Sequence, residues 1–101
     1  MSASLLFHSK VALVHKRTDS VAIAELKVWQ VPKTKHFPEG IKYSLCLVSK
    51  TGGDVLIGYD NHKPKGHHVH FGDIEQAYSF QDLDTLIEDF WSNVEERGYL
   101  S

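Results

Sequence analysis

The chain is poor in residues that would tie it together covalently or anchor it in a bilayer. It has one cysteine, Cys46, in 101 residues, so no internal disulfide framework can form and a reducing compartment suits it. Set in an apolar run with no partner, that thiol reads as a small packing residue rather than a reactive group. No stretch approaches the roughly 18 consecutive apolar residues of a membrane helix. The start, MSASLLFHSKVALVHK, puts His8 and Lys10 inside what would have to be a signal core. These absences point to a cytoplasmic protein with no membrane partner. No low-complexity tract or repeat stands out, and 101 residues at 42% hydrophobic content suffice for one core and not for two. A single domain over residues 1–101 is expected.

Charge of one sign is scarce in two places. Residues 71–101 hold one base, Arg97, against eight acids, whereas residues 1–70 hold ten Lys and Arg against five acids. The net charge of −2 therefore conceals a chain that is bipolar along its length. A basic first part suits a polyanion such as RNA, although lysines on solvated strands and acids on a solvated helix would give the same count. The second gap is more telling. No acid occurs between Asp60 and Asp73, and that interval holds Lys63, Lys65 and four of the seven histidines: His62, His67, His68 and His70. Imidazoles titrate near pH 6.5, where protons can be moved, so the search for chemistry concentrates here.

The hydrophobic period changes along the chain. From Val21 to Val31, Ala24, Leu26 and Val28 alternate with Glu25, Lys27 and Trp29, a period of two that predicts a half-buried strand, and Pro32 ends it. KYSLCLVSK and VLIGY, joined by Thr51-Gly52-Gly53-Asp54, predict a hairpin over 42–59. The segment from Leu5 to Lys16 fits neither period cleanly and is assigned as a strand pairing with the next across Thr18-Asp19-Ser20. In residues 82–97, Leu83, Leu86, Ile87, Phe90, Trp91 and Val94 recur at helical spacing. Ser79 followed by Asp82 resembles a capping box, and Gly98 can stop the helix. The expected fold is α+β: an antiparallel meander of about four strands packed against one C-terminal amphipathic helix in two layers. Tyr78 and Phe80 are expected to pack on the first helical turns, and the histidine segment to form a loop or a short fifth strand on the sheet edge.

His68-Val69-His70 puts two imidazoles on one side of an extended chain, about 6.6 Å apart at 3.3 Å per residue. Such a pair can bind a metal or act as base and acid around a phosphate. Metal binding needs a third ligand, for which Asp60, His62 and His67 are candidates. An HxH pair alone is a weak metal signal, so no metal and no cofactor is assigned. RNA brings its own nucleophile, the 2′-hydroxyl, and asks only for a base, an acid and a cation. His68, His70 and Lys65 are the candidate catalytic residues. Tyr59, Asp60, Asn61, Lys63 and Gly66 are the candidate substrate-binding residues, with Gly66 offering a positive φ or room for a phosphate. Hydrogen bonding of the histidines within a loop, solvated lysines, and an Asx turn at Asp60-Asn61 would explain the same residues without function.

Lys42-Tyr43-Ser44-Leu45, Tyr59-Asp60-Asn61, Lys65-Gly66, His68, His70, Gly72, Glu75, and Tyr78 with Phe80 stand in an order that resembles the TumE-like family of small toxins from toxin–antitoxin modules. Trp29 and Asp89-Phe90 extend the resemblance over nearly the whole chain. It implies a toxin encoded beside a helix-turn-helix antitoxin, and a block of translation through RNA. There is one departure: His67 stands where the pattern leads us to expect an acid. Two functional readings stand side by side. One is a metal-independent ribonuclease using His68, His70 and Lys65; the other is a non-enzymatic module that binds nucleic acid or protein. The acidic helix or the histidine cleft suits a basic antitoxin element, and an exposed meander edge is compatible with a homodimer.

Overall fold

The computed structural model describes residues 3–100. In chain order the elements are β1 (Ser4–His15), β2 (Val21–Gln30), β3 (Ile41–Ser49), β4 (Val55–Asp60), β5 (His68–Phe71), β6 (Ile74–Ala77), α1 (Leu83–Glu96) and β7 (Tyr99–Leu100). The seven strands form one antiparallel sheet in the order β6-β5-β4-β3-β2-β1-β7. The α+β class is as expected, but about four strands understates the sheet. The expected β1 and β2 pair through a turn in which Asp19 takes a positive φ, and the expected hairpin is β3–β4.

The three further strands are short. Gly72-Asp73 turns β5 into β6, with Gly72 at φ 62°, a conformation that a side chain rarely adopts. The histidine segment therefore lies one strand in from the edge, between β4 and β6, because β6 covers the edge it was expected to occupy. At the other end β7 pairs only with Val14 and His15, leaving the rest of β1's outer edge without a strand partner among the described residues.

Strand alternation divides the sheet into two unlike faces. Leu13, Ala22, Ala24, Leu26, Val28, Tyr43, Leu45, Leu47, Ile57, Tyr59 and Val69 are buried together with Leu86, Phe90 and Val94 of the helix. These helical residues are four apart and make one stripe. The helix crosses the sheet from Tyr59, whose ring meets Phe90 edge-on at 6.2 Å, toward Val11 and Leu13, which share a hollow with Trp91 and Val94. The opposite face has no helix over it among the described residues.

The helix is capped by Asp82, whose Oδ1 accepts from the Thr85 N–H at 2.7 Å. The expected cap at Ser79 would have wound Phe80 into the first turn. Phe80 instead stacks on His67 at 4.7 Å and on Tyr43 at 5.8 Å, which holds residues 78–81 out of the helix. Gly98, at φ 92°, ends the helix as expected. Among the described residues no helix is long and apolar enough to cross a membrane.

Candidate functional site

The site is assembled by cross-strand register. Asp60 on β4 lies directly opposite His68 on β5, Gly58 opposite His70, and His70 opposite Glu75 on β6. Successive strand residues alternate faces, so with Tyr59 and Val69 turned into the core, Asp60, His68, His70 and Glu75 share the helix-free face. Their row continues inward through Ser44 and Cys46 on β3 to Glu25 and Lys27 on β2.

His68 is 8% exposed. Its Nδ1 donates to the Gly66 carbonyl at 2.8 Å, and its Nε2 stands 3.1 Å from Asp60 Oδ1. His70 meets the His68 ring edge-on at 4.9 Å, and its Nε2 is 3.6 Å from Glu75 Oε1. Ligating atoms of Asp60, His68 and His70 all lie within 4.8 Å of one another. Beside them a hollow of about 360 Å³ is lined by Ser44, Cys46, Gly58, Asp60, His70 and Gly72, among others. Burial and the neighbouring Glu25 carboxylate push the Cys46 thiol up, which disfavours the nucleophilic thiolate.

The other residues singled out in the sequence separate into distinct roles. Lys65 Nζ donates to both oxygens of Glu75 at 2.7 Å, and these hydrogen bonds lower the Glu75 carboxyl below its ordinary range. Gly66 has φ 74° and nothing within 4 Å of where a Cβ would be, so its contribution is the backbone turn and the carbonyl that orients His68. Lys63 lines an exposed hollow with Lys42 and His62, and Asp60 Oδ1 also accepts from the His62 N–H at 3.2 Å.

Asn61 and Tyr59 belong to the scaffold. Asn61 is 1% exposed; its Oδ1 accepts from the Tyr43 N–H at 2.9 Å and its Nδ2 donates to the Ile41 carbonyl at 2.8 Å. The side chain thereby continues the β3–β4 ladder where the β4 backbone turns away, and neither of these polar atoms is left free for substrate. Tyr59 is buried on the helix face, where Asn93 Nδ2 donates to its hydroxyl, and burial raises that phenol. Tyr78 packs edge-on against Tyr59 and donates to Asp89 Oδ2 at 2.6 Å.

His67 also lies on the far side, stacked on Phe80. Its Nδ1 is 2.9 Å from the Tyr43 hydroxyl and its Nε2 3.1 Å from Glu39. The departure at this position thus sits away from Asp60, His68 and His70, and the acids beside those histidines are Asp60 and Glu75. Glu75 is the residue that site reasoning from the sequence left out. A two-residue Gly72-Asp73 turn between HVHF and IEQA was the available signal, since such a hairpin sets Glu75 opposite His70.

No curated protein and no solved structure matches the chain. A family model described as toxin TumE matches residues 3–98. With nearly its whole length covered, the chain belongs to the TumE toxin family, and so is the toxin component of a toxin–antitoxin module with an antitoxin as its partner.

Proposed function

We propose that this toxin acts on RNA as an endoribonuclease that blocks translation, with its centre at His70, His68 and Asp60. The observation that carries this reading is the convergence of two imidazoles and a carboxylate on the helix-free face. Lys27 and Lys42 stand on the same face, and the Lys42 ammonium lies over the Trp29 ring at 5.8 Å. Sheet faces that combine aromatic and cationic side chains suit single-stranded RNA, whose bases stack while its phosphates are neutralised.

Cleavage would proceed by attack of the 2′-hydroxyl on the adjacent phosphate, giving a 2′,3′-cyclic phosphate and a free 5′-hydroxyl. His70, half-exposed beside the hollow, is the group suited to proton transfer. His68 has both nitrogens engaged, by Gly66 and by Asp60, so its contribution is charge and positioning. Lys63, Lys42 and His62 are suited to hold flanking phosphates, and a bound phosphate would compete with Glu75 for Lys65.

The test is incubation of purified protein with RNA, with binding measured in parallel. Wild type should yield fragments with 5′-hydroxyl ends, and His70→Ala should bind RNA but leave it intact. RNA bound and uncut by wild type would instead support the non-enzymatic binding module. Absence of growth arrest in cells making the chain without antitoxin would remove toxicity itself.

A further inference from the structure

We propose that Asp60, His68 and His70 form a binding site for one divalent transition-metal ion of the zinc class. Two imidazoles and a carboxylate are a donor set that catalytic zinc sites use, with one coordination position left to water or substrate. At metal–ligand distances near 2.0–2.1 Å, tetrahedral ligands lie about 3.3 Å apart. His68 Nε2 and Asp60 Oδ1 are already 3.1 Å apart, and His70 comes from the neighbouring position on the same face, within the 4.8 Å that spans all three donors.

The backbone sets the orientation of the first imidazole. The Gly66 carbonyl can only accept, so His68 Nδ1 donates to it, which turns Nε2 toward Asp60 Oδ1 in a nearly buried setting. A ring nitrogen bonded to a backbone carbonyl, with the other nitrogen aimed at a shared centre, is the usual support of a metal-bound histidine.

The scaffold positions the ligands through strand register. Asp60 and His68 are registered across β4 and β5, and Gly58 opposite His70 leaves open the space that a side chain would fill. Glu75, clamped by Lys65, flanks His70 on the outer side. The site stands on this geometry alone; an ion bound there takes the His70 nitrogen that would otherwise transfer a proton, so on the ribonuclease reading His70 then acts as a ligand and the ion as the electrophile that polarises a phosphate.

The experiment uses the full chain freed of metal with a chelator, titrated with Zn²⁺ by calorimetry and with Co²⁺ by visible absorption. One equivalent should bind, with cobalt bands of low-symmetry coordination and a rise in Tm. Asp60→Asn and His70→Gln should each weaken binding by at least about tenfold, while His36→Ala, at an exposed position elsewhere, should bind as wild type does. His70→Gln, at a half-exposed position, serves as the variant that keeps the fold, checked by an unchanged metal-free Tm. No saturable binding, or equal affinity in wild type and both site variants, overturns the proposal. Metal bound at this site without RNA cleavage would leave the site standing and remove the ribonuclease reading; cleavage unaffected by a chelator, with no metal bound, would do the reverse.

Discussion

At the scale of single residues, two side chains that look functional in the sequence are tied into the structure instead. Asn61 replaces a missing strand: its amide makes the hydrogen bonds that a further β4 residue would have made to Tyr43 and Ile41. Asn61→Ala leaves a buried N–H and a C=O without these bonds, each costing about 1–3 kcal/mol. Urea unfolding should show a loss of that order per group with an unchanged m-value. A stability equal to wild type would contradict the ladder role. His67 makes the parallel case, because an acid there loses the contact with Glu39 and sets two carboxylates against each other. His67→Glu is expected to lower Tm while RNA cleavage by the folded protein stays at the wild-type level. A specific loss of cleavage at full stability would return His67 to the site.

At the scale of elements, the helix is held by one stripe and one cap. Phe90 touches Tyr59 and Trp91, and Phe90→Ala should cost about 3–5 kcal/mol, read as a fall in the urea midpoint. At the helix cap, Asp82 adds a pH dependence of its own. Hydrogen bonds from Thr85 lower its carboxyl below the ordinary value of 3.8, so its folded-state value lies under its unfolded one. The stabilisation is therefore complete above the unfolded value and is lost as pH falls through the folded one. The Tm gap between wild type and Asp82→Ala should be constant from neutral pH down to about pH 5 and should close in stronger acid. A gap that persists there would show that Asp82 acts through something other than its charge. Strand β2 and the helix were legible in the sequence because each carries its own period; β3 and β4 were legible from the Thr51-Gly52-Gly53-Asp54 turn between them, and β1, which fits neither period, from its place across a turn from β2. Strands β5 and β6, of four residues each, and β7, of two, are too short to show a period, and pairing with neighbours defines them.

At the scale of the molecule, one surface is uniformly acidic and the other mixed: the helix-free face carries Glu25, Asp60 and Glu75 beside its lysines. Asp84, Glu88 and Glu95 lie on the solvent side of the helix, while Lys10, Lys27 and Lys42 stand on the helix-free face of the sheet. RNA binding through that face should weaken steeply with salt, and Lys42→Ala should reduce the slope of log affinity against log salt by about one contact. Filter binding or fluorescence anisotropy at several salt concentrations measures this. A slope identical to wild type would place the phosphates elsewhere.

The sequence alone determined what depends on neighbours along the chain. The crowding of imidazoles at 62–70, the period of two in β2, the amphipathic helix and the family pattern are all local or ordered features of the chain itself. The sheet decided which of the crowded residues belong together. Alternation sends His68 and His70 to one face and His67 to the other, and register brings Asp60 and Glu75 to the pair from strands on either side. A side chain's face follows from strand parity, but its partner depends on which strand pairs with which, and that is set by burying Leu45, Tyr59 and Val69 beneath Phe90 and its stripe.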